Sequence, residues 1–182
     1  MKYVYLFLAM SIALVSCKSQ STVNTASDKP FAQTNEDGIL VGQVERRDLE
    51  DNPVFEEWYK PMFASYRVDE SKIDEIKKNL KGVDIQLFMG TWCGDSKRET
   101  PRFFKILDAA DYTKKVDLIT VTRAKNTPNG LEEGLNITNV PTIIFKKNGK
   151  ELGRIVEYPI ISLESDMLKI LTGQEYKHAY AE

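Results

Sequence analysis

Between residues 69 and 173 the apolar positions switch repeatedly between helical spacing and short dense runs. The stretch DESKIDEIKKNLKG places Ile73, Ile76 and Leu80 on one helical face, with Ser71 and Asp74 as a capping pair and Gly82 as a stop. VDIQLFMG follows as a buried strand, and a helix starting near Cys93 carries Phe103, Phe104, Ile106 and Leu107. VDLITVTR is a second strand, and TPNGLEEGLN is a loop or short helix. TIIFKK and KELGRIVE flank Asn148-Gly149, whose tolerance of positive φ predicts a tight hairpin. SLESDMLKILTG closes the pattern as a helix with Leu163, Met167, Ile170 and Leu171 inward and Gly173 at its end. The predicted order is helix, strand, helix, strand, helix, hairpin, helix.

Upstream the pattern is less regular. ILVGQV reads as a short strand. VFEEWYKPMFASY sets Phe55, Trp58, Tyr59, Met62, Phe63 and Tyr66 at helical spacing, interrupted by Pro61. That aromatic stripe predicts a face docked on the core, with a partner-binding surface as the alternative. Residues 39–68 are therefore an N-terminal extension packing on a domain that spans 69–182. Residues 18–38, rich in Ser, Thr and Asn, read as a flexible tether.

The chain begins MKYVYLFLAMSIALVSC: one lysine, an apolar run, then a small residue before Cys17. This reads as a secretion signal over 1–17, too short to span a membrane comfortably. LVSC resembles the bacterial lipobox, which implies lipidation of Cys17 and anchorage to the membrane; a cleaved signal with an incidental cysteine is the alternative. The whole chain has 182 residues and a formal charge of −2, with no basic cluster, which argues against a nucleic-acid partner. Arg46 and Arg47 read as a solvated pair, as do Glu132 and Glu133, and Arg154 with Glu157 as a surface ion pair. His178, the single histidine, has no Cys or His cluster near it in the sequence, so neither a metal site nor a cofactor is expected.

The chemistry concentrates in TWCGDSK. With Cys17 carrying lipid, Cys93 is a lone thiol in an oxidising compartment. A cysteine opening a helix faces converging backbone N–H groups, a setting that lowers thiol pKa values from about 8.5 into a range of roughly 3.5 to 7.5. An inert buried cysteine is the alternative.

The element order, Trp92 before Cys93, Pro101 eight residues after it, NVPT before the hairpin and FKKNGKELG within it resemble the thioredoxin family over roughly residues 69–173. The export signal and FMGTWCGDSK…PRFFKIL are similar to membrane-anchored thioredoxin-like lipoproteins of the Bacteroidetes type. The resemblance implies an α/β thioredoxin-like fold, a central mixed sheet flanked by helices, and a cis Val140–Pro141 bond beside Cys93. It implies Cys93, Ser96 and Trp92 as the catalytic set, Val140, Pro141 and Thr142 as the substrate-binding set, and Gly94, Asp95 and Lys97 as modulators. Three departures stand out. Ser96 replaces the resolving cysteine. Asp95 stands where proline is usual, its charge opposing a thiolate unless Lys97 or Arg98 offsets it. Leu87 stands where the family carries a buried aspartate.

Without a second thiol, Cys93 can attack a disulfide but cannot release itself. The predicted function is monothiol thiol–disulfide exchange with protein or small-molecule thiols and disulfides, Ser96 donating to the thiolate and an external thiol resolving. The predicted location is the bacterial envelope, lipid-anchored, on the periplasmic side of the outer membrane. A non-catalytic binding module for envelope proteins is the alternative function. Cluster ligation, suggested by the likeness of CGDS to the CGFS of monothiol glutaredoxins, ranks below both.

Overall fold

The computed structural model describes residues 29–181; the signal, Cys17 and most of the tether lie outside them. Contacts divide the chain at Pro30, and the account below concerns the unit from Phe31 onward. Its elements are β1 (Gly42–Val44), α1 (Arg47–Glu50), α2 (Glu56–Ser65), α3 (Glu70–Asn79), β2 (Val83–Met89), α4 (Gly94–Ala109), β3 (Asp117–Thr120), β4 (Thr142–Lys147), β5 (Lys150–Val156) and α5 (Leu163–Leu171).

The strands form one sheet in the order β1-β3-β2-β4-β5. Only β2 and β3 run parallel; the other neighbours are antiparallel. Strand alternation sorts the residues onto two faces. Ile85, Leu87, Met89, Ile143, Phe145 and Ile155 enter the main core with the apolar stripes of α3, α4 and α5. Phe88, Ile119 and Ile144 point the other way, join Val121 and Val140, and are covered by Leu131, Leu135 and Ile137 from the segment 121–141. That segment contains no helix. Pro128 removes a donor, and Gly130, Gly134 and Asn136 take positive φ, so the chain covers the face in successive turns. Away from Cys93 the same face turns polar: Lys146 donates to Gln86, and Gln86 and Gln43 donate to Asp117.

Local expectations are met unevenly. The Asn148-Gly149 turn has φ of 53° and 77°, as a two-residue hairpin requires. α2 runs unbroken through Pro61, because burial of Phe55 and Tyr59 on one side outweighs the single lost backbone bond. α3 is capped by Asp69, which accepts from the Ser71 N–H at 3.2 Å, instead of by Ser71 with Asp74. β3 ends at Thr120, three residues short of the predicted strand, where the chain enters a turn over 122–126.

Arg46 is no solvated side chain. It ion-pairs with Asp108 at 2.6 Å and Glu50 at 2.9 Å and lies over the Phe63 and Phe104 rings, joining α1, α2 and α4. Two buried carboxylates in the first turn of α5 tie it to its surroundings. Glu164 accepts from the Tyr66 hydroxyl and the Asp69 N–H. Asp166 accepts from the Ile160 and Ile161 N–H groups and the Tyr176 hydroxyl.

Candidate functional site

Cys93 is the residue before the first turn of α4, with extended backbone (φ −91°, ψ 128°). Lys97 N–H donates to the Cys93 carbonyl at 3.0 Å and so closes that turn. The sulfur therefore sits at the positive end of a helix of 16 residues. The side chain is half-buried and in no disulfide.

Across from it the chain enters β4 through a cis Val140–Pro141 bond. The Cys93 thiol donates to the Val140 carbonyl at 3.1 Å. Cys93 is thereby placed against the cis-proline loop, with its sulfur on the backbone atom that the resemblance assigns to substrate. Thr142 is buried; its hydroxyl donates to the Asn139 carbonyl at 2.7 Å and holds that loop, facing inward instead of toward a visitor. Glu157 N–H donates to the Pro141 carbonyl at 2.7 Å and ties the end of β5 to it.

Trp92 packs in the same apolar cluster as Cys93. Its indole N–H donates to the Val121 carbonyl at 2.9 Å. Gly90 is the reason the ring fits: a Cβ there would lie 2.6 Å from Trp92 Cε2. Thr91, also buried, accepts at its hydroxyl from the Leu40 N–H at 3.3 Å, so the chain just before β1 touches the loop that carries the thiol.

Ser96 departs from the expected role. It is fully buried, and its Oγ accepts from the Gly90 N–H at 3.1 Å. Among the described residues it makes no hydrogen bond to the Cys93 sulfur; the sulfur's partner is Val140. The hydroxyl turns back beneath the loop because the Gly90 N–H, buried at the end of β2, has to be satisfied there. Gly94 is exposed, with no heavy atom near the position of a Cβ, so no crowding requires glycine. The charge of Asp95 is taken up by an ion pair with Arg98, which also bonds Glu99 at 2.6 Å. Lys97 lies with its ammonium 5.9 Å over the Trp58 ring of α2. Leu87 is fully buried in the main core.

Other polar assignments shift as well. Arg154 pairs with Glu151, not Glu157, and also donates to the Leu135 carbonyl. Glu157 instead accepts from the Tyr180 hydroxyl. Glu132 accepts from the Thr127 N–H and hydroxyl, which lowers its pKa and caps a turn instead of facing solvent freely. No group of three or more His, Cys, Asp or Glu able to hold a metal occurs among the described residues.

Arg123 was not singled out by the sequence. Its guanidinium carbon lies 5.3 Å over the Trp92 ring. The only sequence signal was its place two residues beyond Val121 at the end of a strand, on the side that Val121 occupies.

The family model described as Thioredoxin matches residues 67–167, just over half of the chain. A thioredoxin-like protein of Acanthamoeba polyphaga mimivirus is 28% identical over 89 residues, covering 49% of this chain and 63% of that protein. Thioredoxin-2 of Saccharomyces cerevisiae is 34% identical over 73 residues, covering 38% of this chain and 62% of that protein. The chain thus spans less than two thirds of the length of these curated relatives. The oxidised form of mitochondrial thioredoxin 3 from Saccharomyces cerevisiae aligns over 52% of this chain and 86% of its own, at 22% identity and a TM-score of 0.32.

Proposed function

Because the chain belongs to the thioredoxin family, we propose that it carries out thiol–disulfide exchange with a single sulfur, Cys93, and relies on an external thiol for release. The observation that carries this reading is a half-buried free thiol 3.1 Å from the backbone of a cis-proline loop, with a buried serine three residues later.

The chemistry follows from that geometry. The Cys93 thiolate attacks one sulfur of a partner disulfide; a new S–S bond forms, the old one breaks, and the departing sulfur takes up a proton. Once the thiol has ionised it no longer donates to Val140, and that carbonyl becomes free to accept from the partner's backbone in β fashion. A second thiolate, on the partner or a small molecule, then attacks the partner's sulfur and expels Cys93 as thiolate. Ser96 cannot perform that step: an alcohol oxygen does not displace a thiolate from a disulfide. Exchange of this kind moves disulfides between partners without net oxidation or reduction. Tethering to the bacterial envelope through a lipid on Cys17 belongs to the same proposal and rests on the lipobox resemblance.

The test is a trap in cells. Tagged protein should accumulate mixed disulfides that vanish in Cys93→Ala, and Ser96→Cys should diminish them by supplying the missing thiol. An empty trap, with Cys93 shown to react with small disulfides, makes the fold a binding scaffold. Metabolic labelling with a radioactive fatty acid, lost in Cys17→Ser, tests the anchor.

A further inference from the structure

Two cations near Cys93, Lys97 and Arg123, have no carboxylate partner among the described residues. Asp95 is spent on Arg98, and Arg98 also engages Glu99. On the cis-proline flank, Glu157 is engaged by the Tyr180 hydroxyl. Among the described residues neither Lys97 nor Arg123 makes a side-chain hydrogen bond or ion pair; each has only a ring beneath it.

Arg123 is the more telling of the two, because the feature that fixes it also fixes the ring below. Val121 accepts from the Trp92 indole, and two residues on, a turn closed by Thr122 N–H to the Asn126 carbonyl (3.0 Å) and Lys125 N–H to the Thr122 carbonyl (2.8 Å) carries Arg123 over that indole. The exposed guanidinium lies 5.3 Å from the ring centroid, and among the described residues none of its N–H donors has a protein partner. A planar fork of free donors on a rigid aromatic is built for a carboxylate. Trp92 and Cys93 are chain neighbours packed on one apolar cluster, and Arg123 lies over Trp92, so thiol and guanidinium are both held on this short segment.

We propose that Arg123 recognises a carboxylate carried close to the partner's sulfur, so that Cys93 exchanges preferentially with anionic thiols and disulfides. This rests on the exchange reading above. Arg123 takes no part in bond making: the Cys93 thiolate bonds to the carboxylate-bearing sulfur, the other half of the disulfide leaves as thiolate, and the guanidinium holds the carboxylate throughout. The same contact would orient a carboxylate-bearing thiol in the releasing step.

The experiment uses the full chain with Cys17→Ser, so that Cys93 is the sole thiol. The probes are two mixed disulfides of 4-thiopyridine, one with mercaptoacetate and one with 2-mercaptoethanol; thiopyridone release gives the rate. Each rate is divided by that of a free small thiol with the same probe, which removes intrinsic reactivity. The normalised preference for the anionic probe should be about five- to tenfold, the low end for a charge-assisted contact made in water. It should fall to about one in Arg123→Gln while the rate with the neutral probe holds. In the Cys17→Ser chain with Arg123 intact the preference should collapse in about 1 M salt. A paired set of Cys peptides flanked by Glu or by Ser distinguishes the source: preference in both sets admits protein segments, and preference in the small pair alone restricts the site to small thiols. Equal normalised rates for the two small probes, or a preference untouched by Arg123→Gln, overturn the proposal. Failure of Cys93 to react with either probe instead overturns the exchange reading itself.

Discussion

Ser96→Ala separates two roles for the residue that replaces the second thiol. Its oxygen accepts from the Gly90 N–H at 3.1 Å, and both residues are buried. Alanine leaves that N–H without a partner in a place that water does not reach. Leaving a buried donor unsatisfied costs about 1–3 kcal/mol. With a urea slope of about 2 kcal/mol per molar, the unfolding midpoint should drop by about 0.5–1.5 M. The attacking step should change little, within about threefold (about 0.6 kcal/mol on the barrier), because the Cys93 sulfur is bonded to Val140 and not to Ser96. Urea unfolding followed by tryptophan fluorescence gives the first quantity, and reaction of the Cys17→Ser background with the neutral pyridyl disulfide gives the second. An unshifted midpoint together with a tenfold or greater loss of rate would refute the reasoning and return the hydroxyl to the sulfur.

Gly90→Ala should push the Trp92 ring off its seat, since the added carbon meets Trp92 Cε2 at 2.6 Å and Nε1 at 2.7 Å. The expected cost is about 2–4 kcal/mol, from overpacking plus the lost bond to Val121, with red-shifted Trp92 emission in a Trp58→Phe background; unchanged emission and stability would contradict it. His178 has a pKa below the usual imidazole value, first from burial and then from repulsion by Arg154. A histidine with a lowered folded pKa contributes stability that is fully present above its unfolded value of about 6.5 and is lost as pH falls below it. As the chain's single imidazole, His178 can be titrated by NMR: the midpoint should lie below 6.5 and rise in Arg154→Gln, and a midpoint at or above 6.5 would remove the claim.

Much of the fold could be read from the residues because its signals are local. The Asn148-Gly149 turn, the stripe of Ile73 and Ile76, and the start of α4 at Cys93 each depend on neighbours within a few positions. Of the candidate site, the placing of Cys93 and Trp92 beside a cis Val140–Pro141 bond was legible. What the sequence hid depends on distant partners. Arg46 reads as one of a charged pair until Asp108 and the rings of Phe63 and Phe104 close around it. Ser96 reads as a donor to the nearest sulfur until Gly90 at the end of β2 claims its oxygen. Arg123 reads as the tail of a strand until the turn at Thr122 lays it on Trp92. The segment 121–141 carries helix-compatible residues, and only Pro128, Gly130, Gly134 and the left-handed Asn136 explain why it stays irregular.

The sheet ends in two strands that offer little to a passing chain. β1 is three residues long, begins at Gly42 with φ of 102°, and has its Gly42 carbonyl already capped by the Thr120 hydroxyl. β5, at the opposite margin, carries Lys150, Glu151 and Arg154 and loses register beside Lys146. Brevity at one margin, charge and a kink at the other, leave scant unpaired ladder for fibril-like templating. Under the proposed exchange, a partner polypeptide meeting Cys93 would find little margin on which to extend the sheet.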